Sequence, residues 1–132
     1  MFQGFETAVA LTGVDACRAF FADCVLASAG QSGLWVAHLD GRARCIHLAT
    51  YPVNDDRSGL PFRDIVRDAA ELGSVGMVVA RHRVSPAAAL ARADGDQTRR
   101  LARAAEAMDV ALLDHLVFTG DECTSLRRVG LL

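Results

Sequence analysis

The stretch VGMVVARHRVSPAAALARADGDQTRRL, residues 75–101, decides how the chain folds. Its first six residues, Val75 to Ala80, form a continuous apolar run, the pattern of a strand buried on both faces of a sheet. The run ends in Arg81-His82-Arg83. The next segment, 84–93, is mixed, since Pro86 favours a loop and the alanines a short helical turn. Asp94 stands where an N-cap would open a helix over roughly 95–108, with Leu101, Ala104, Ala105 and Met108 turned inward. A second strand, VALLDHLVF (110–118), follows. A His with a downstream Asp at the end of a buried strand suggests a metal site. Arg on both sides of that His argues against one, because a guanidinium cannot ligate a metal.

Working outward, Thr12-Gly13-Val14-Asp15 fits a capping box for a helix over about 14–27. Its apolar stripe is Cys17, Phe20, Phe21, Cys24 and Val25, at i, i+3, i+4, i+7 and i+8. LWVAHL (34–39) and RCIHLATY (44–51) are apolar segments joined at Asp40-Gly41, a hairpin signal. VNDDRSGLP (53–61) reads as a loop. FRDIVRDAAEL (62–72) places Phe62, Ile65, Val66 and Ala69 on one helical face, and Gly73 stops it. After Gly120-Asp121-Glu122 comes a last short strand, CTSLRR (123–128). The order α-β-β-α-β-α-β-β predicts an α/β (α+β) fold, a mixed sheet flanked by helices in a single domain spanning 1–132.

At 132 residues, 52% hydrophobic and 23% charged, the chain can bury a substantial core and is not disordered in composition. A net charge of −2 gives no overall attraction to nucleic acid or anionic membrane. All fourteen basic residues are Arg, the side chain suited to forked recognition of carboxylate or phosphate. The four cysteines (Cys17, Cys24, Cys45 and Cys123) include no C-x-x-C, and the N-terminus lacks the build of a signal peptide. Reduced thiols in a cytoplasmic protein are therefore expected. No apolar stretch approaches the ~20 residues that span a bilayer. His38, Cys45 and His47 could in principle converge on a metal from the hairpin strands, although isolated His and Cys there are more often packing residues. Arg99, Arg100 and Arg103 make a basic patch, but Asp94, Asp96 and Glu106 interrupt it and aromatic interleaving is sparse.

Asp94, Thr98-Arg99-Arg100-Leu101, LLDHLVF (112–118) and SLRRVGLL (125–132) together resemble the RadC-like branch of the JAB/MPN (JAMM) domain family. Members show a strand, then His-x-His-Pro-Ser-Gly, then Ser-x-x-Asp leading into a helix, then a Leu-Asp-His strand and a C-terminal Gly-Leu-Leu. The resemblance runs over about residues 32–132 and implies the cytidine-deaminase-like architecture of that family. It also implies zinc-dependent, (iso)peptidase-type hydrolysis: two His and one Asp hold zinc, a Glu serves as general base, and a Ser stabilises the oxyanion. Laid back from Asp94 without a gap, the two His positions fall on Arg81 and Arg83, with His82 between them. The Pro position is Val84, Ser85 matches the following Ser, and Pro86 replaces the Gly. The oxyanion Ser falls on Ala91 and the Glu near Ser32. Of the five chemical positions only Asp94 keeps its residue. By the same resemblance, His115 beside Asp114 has a structural role.

These departures lead us to expect no catalytic residue, no bound metal and no zinc cofactor, so that the chain would be a pseudoenzyme or binding module. Side chains alternate along a strand, so His82 should face away if Arg81 and Arg83 face the family's cleft. Arg81, His82, Arg83, Ser85 and Asp94 are the binding candidates. One or both arginines would pair with Asp94, and the cleft could hold a small anion. The plainer alternative is two solvated arginines and a helix cap. Two rival functions stay open, an active metal-dependent hydrolase rearranged around His82 and Asp94, and an anion or nucleic-acid binder using Arg81 and Arg83. A homodimer or another protein is the expected partner. Nucleic acid has no support from charge, the association with DNA repair being one of family name, and no membrane is expected.

Overall fold

A computed structural model describes residues 9–53, 59–84, 92–120 and 122–132. Its elements follow the expected order: α1 (Val14–Ala27), β1 (Gly33–Leu39), β2 (Cys45–Tyr51), α2 (Phe62–Leu72), β3 (Gly76–Arg83), α3 (Arg92–Glu106), β4 (Ala111–Thr119) and β5 (Glu122–Ser125). The five strands form one mixed sheet in the order β2-β1-β3-β4-β5. Only the β3–β4 pair is parallel, because α3 carries the chain back across the sheet between them; the other neighbours are antiparallel.

The continuous apolar run has its cause in this topology. β3 lies at the centre, and every one of its residues is buried. Met77 and Val79 pack with Ile65 and Ala69 of α2 and with Leu101 and Ala105 of α3. Val78 and Ala80 face the other way, onto Cys17 and Phe21 of α1. The sheet is thus covered on both sides, and strict alternation sends odd β3 positions to the α2/α3 face and even ones to the α1 face. Gly33, where β1 begins, is needed for space: a Cβ there would lie 2.4 Å from Cη2 of Trp35, whose indole lies back along the strand.

Several local expectations change. The Thr12–Asp15 capping box does not form: α1 begins after Gly13, which has a φ of 86°, with no side-chain cap. The hairpin turn is longer than Asp40-Gly41. The Asp40 carboxylate accepts the Arg42 and Arg44 backbone N–H groups at 2.8 and 3.0 Å, and Ala43 takes a left-handed φ of 60°. α2 matches its predicted bounds and stops at Gly73 in the left-handed conformation.

β3 runs on through Arg81-His82-Arg83 instead of ending at Ala80. α3 starts at Arg92 and ends at Glu106, so Asp94 sits inside its first turn and is not the N-cap. Because α3 ends early, Met108 lies in the following turn, exposed, and Ala104 also faces outward; past its first turn the helix buries Thr98, Leu101 and Ala105. β5 stops at Ser125, and Leu126-Arg127-Arg128 belong to a turn. The expected Pro86 segment and the 53–61 loop fall largely outside the described residues.

Candidate functional site

The polar residues gather where β3 ends. Arg81 and Arg83 occupy odd positions and therefore enter the α2/α3 face, beside the start of α3. Neither is a solvated strand end: Arg81 is 3% exposed and Arg83 6%. Both terminal nitrogens of Arg83 donate to the Asp94 carboxylate, Nη1 to Oδ2 and Nη2 to Oδ1, at 2.5 Å each. Asp94 is only 7% exposed, so the pair is buried and bidentate, the strongest geometry a guanidinium offers a carboxylate. The pairing also explains why Asp94 does not cap its helix, since both carboxylate oxygens are turned to β3. Arg81 reaches over to the Gly59 carbonyl at 3.4 Å.

His82 lies on the opposite face. Its Nδ1 is 2.8 Å from the Gln31 carbonyl and 3.4 Å from the Ser28 hydroxyl, so it joins the end of α1 to the sheet. No bulge interrupts β3 at this point; its register shift falls at Met77/Val78. The two residues of the rearranged-site alternative, His82 and Asp94, are thus held on different sides of the sheet. Ser32 immediately precedes β1, whose first residue pairs with His82, so it lies at the same end of the sheet. Ser85 and Ala91 fall outside the described residues.

A second polar layer supports the ion pair, and little in the local pattern announces it. The Thr98 hydroxyl donates to the Asp94 carbonyl at 2.6 Å, one helical turn back. Its lone pair is then left to accept from Nδ1 of His115 at 2.7 Å. That chain fixes the imidazole tautomer, with the proton on Nδ1 and a bare lone pair on Nε2, a buried atom with no hydrogen-bond partner among the described residues. Burial pushes the His115 pKa down to about 3, helped by the positive charge of Arg81 and opposed by Asp94. His115 therefore stays neutral beside two guanidiniums. The only sequence signal was spacing: Thr98 lies four residues after Asp94 and faces inward with Leu101.

Asp114 is equally committed. It accepts from the His115 backbone N–H at 2.7 Å, the Ser125 hydroxyl at 2.5 Å and the Arg127 backbone N–H at 3.1 Å. Arg127 in turn donates to the Leu112 and Leu113 carbonyls, so the Leu-Asp-His segment fastens β4 to β5 and the turn beyond it. Two arginines of the basic patch on α3 are also engaged. Arg99 holds the Leu131 carbonyl at 2.7 Å and Asp96 at 2.5 Å, and Arg100 lies over the Phe62 ring at 5.1 Å from its centroid.

Of the hairpin trio, His38 and His47 stand directly opposite on β1 and β2, but a bulge puts Cys45 opposite Leu39 and into the α1-side core. Among the described residues, no group of three or more His, Cys, Asp or Glu side chains converges to hold a metal ion. Nor is any described helix long and apolar enough to cross a membrane.

A five-stranded mixed sheet covered by one helix on one face and two on the other, with its polar cluster at the end of the central strand, is consistent with the JAB/MPN fold. The chain belongs to the RadC-like JAB domain family, whose model matches residues 12–131 and so takes in α1 as well as the sheet. It is 29% identical to a UPF0758 protein of Bordetella petrii over 97% of this chain and 50% of that protein. A UPF0758 protein of Acidithiobacillus ferrooxidans is 31% identical over 88% of this chain and 46% of its own length. One from a Polaromonas species is 37% identical over a shorter stretch, 53% of this chain and 31% of its own. The chain spans about half the length of the curated relatives it matches in Bordetella and Acidithiobacillus.

Proposed function

We propose that this chain is a RadC-like JAB domain that no longer performs zinc-dependent hydrolysis and acts through binding. One observation carries the reading: both oxygens of the Asp94 carboxylate are taken by Arg83 in a buried, bidentate pair. In the family pattern a His at position 83 and the Asp would share a zinc ion. A guanidinium offers no lone pair, keeps its charge at any reachable pH and repels a divalent cation. Arg81, nearly as buried, adds a second positive charge at the other His position. The residues present therefore do not fit zinc as the family binds it, and no hydrolytic step is derived through it. What Arg83 does instead is structural: it ties the end of β3 to the first turn of α3, the two elements a shared metal would otherwise join. The placement of His82 on the opposite face weighs against the rearranged hydrolase.

Zinc analysis of the purified, untagged chain after dialysis tests the reading. The comparison protein is the double variant Arg83→Met/Asp94→Leu, which removes both charges together. Wild type and double variant should hold the same amount of zinc, whatever that is. One equivalent held by the wild type and lost by the double variant would overturn the proposal.

A further inference from the structure

A groove runs between the start of α2 and the middle of α3. Its volume is about 500 Å³, and it is lined by Pro61, Phe62, Arg63 and Asp64 from α2 and by Arg100 and Ala104 from α3. That volume falls in the ~300–1,000 Å³ range of sites that take an organic ligand, more than a bare anion needs. The groove is preformed at one end: the Leu60 backbone N–H donates to Oε1 of Gln97 at 2.9 Å, which holds the chain entering Pro61 against α3.

The charges along the groove are one-sided. Arg63 takes part in no ion pair among the described residues. Arg100 sets its guanidinium over the Phe62 ring, 5.1 Å from the centroid, a contact that occupies none of its N–H donors. The acidic member of the lining, Asp64, is already paired with Arg67 at 2.5 Å. Two guanidiniums therefore flank the apolar surface of Pro61, Phe62 and Ala104.

We propose that this groove docks an acidic peptide segment of a partner protein, with its carboxylates on Arg63 and Arg100 and an intervening apolar side chain on Pro61, Phe62 and Ala104. Such a segment would be the partner of the binding role proposed above, on which the assignment rests. Guanidinium forks match carboxylates in shape and charge, so complementarity selects an anion, and the apolar lining selects one with an apolar body. Exposure decides between a peptide and a small metabolite. Arg63, Asp64, Arg100 and Ala104 all face solvent, whereas a small-molecule pocket encloses about 70–90% of its ligand. An extended chain can instead spread many small contacts along an open groove. The groove shares no residue with the Arg81, Arg83 and Asp94 cluster, but Gly59, whose carbonyl Arg81 reaches, lies just before its wall.

The test is titration of the untagged, isotope-labelled chain with the capped peptide Ser-Glu-Leu-Glu-Leu-Glu-Ser, followed by amide NMR in buffer containing EDTA. Shifts should concentrate at residues 62–64 and 100–104, and added salt should weaken the affinity, since these charges are exposed. Arg63→Ser/Arg100→Ser, at two exposed positions, should weaken binding roughly 10-fold, the effect of losing two partly solvated charge contacts. Ala104→Glu should weaken it at least as much by adding bulk and like charge. Arg18→Ser removes one charge from α1, on the opposite face of the sheet, and should leave the affinity unchanged. No binding, shifts scattered over the surface, equal binding of the Gln-for-Glu peptide, an equal loss in Arg18→Ser, or displacement by equimolar inorganic phosphate would each overturn the docking site. The zinc analysis above decides the loss of hydrolysis independently. Cleavage of the bound peptide on adding zinc, seen by mass spectrometry, would overturn that reading and leave the groove standing.

Discussion

Replacing Asp94 by Asn keeps the side-chain shape and removes the charge, leaving Arg83 buried against a neutral amide with Arg81 beside it. Both members of the pair are at most 7% exposed, so water cannot resolvate the abandoned guanidinium without opening the junction between β3 and α3. Removing one partner of a buried pair typically costs about 3–5 kcal/mol. The loss of a carboxylate from the first turn of a helix adds about 0.3–1 kcal/mol of unfavourable dipole interaction, and the remaining amide oxygen offsets part of the total. For a domain of this size each kcal/mol moves the melting temperature by about 4 °C, so a fall on the order of 12–20 °C is expected. Chemical denaturation with matched thermal melts measures it. The double variant Arg83→Met/Asp94→Leu should recover most of the loss, because a well-packed apolar pair replaces a buried ion pair at little or no cost. Raising salt from 0.1 to 1 M should change the wild type little, since screening acts weakly on buried charges. A loss below about 1 kcal/mol for Asp94→Asn, the level of an exposed pair, would refute the reasoning.

Two further predictions concern the layer beneath that pair. Thr98→Val removes the hydroxyl that accepts the His115 proton and should cost about 1–3 kcal/mol by urea denaturation, while Thr98→Ser should remain near wild type; equal costs for the two would show that the hydroxyl does not matter. His115 has its pKa lowered from an ordinary 6.5 to about 3 by burial, with Arg81 assisting, so the unfolded chain binds its proton first as pH falls. The stability it contributes is complete above about pH 6.5 and declines as pH drops from there towards 3. Wild type should therefore lose more stability between pH 7 and 5 than His115→Asn, which keeps a donor near Thr98. Parallel pH profiles would contradict the assignment.

Much of the fold was legible because it rests on local period and punctuation. α2 could be read to the residue from the spacing of Phe62, Ile65, Val66 and Ala69 and the Gly73 stop. The run Val75–Ala80 announced a central strand, and strand alternation alone foretold that His82 would leave the face of its two Arg neighbours. Boundaries failed where a distant partner outweighed local preference. Asp94 carries every mark of an N-cap, yet its carboxylate is claimed by Arg83 across eleven residues of sequence, and the helix begins two residues earlier. The Thr12–Asp15 box did not form, and the structure offers no physical account of that. Cys45 has the same parity along the chain as His47, and only the bulge in β2 sends it to the other face.

The sequence by itself determined the order of elements, the two-sided burial of β3, and the residue types available at the end of that strand. These follow from side-chain periodicity and from what a guanidinium or an imidazole can chemically do. Only the tertiary structure decided that Arg83 is buried and bidentate on Asp94, that Thr98 and His115 support the pair, and that His38 and His47 face one another. Each of these depends on which segments pack together and which charges lose their water, and no local pattern in a single chain records that.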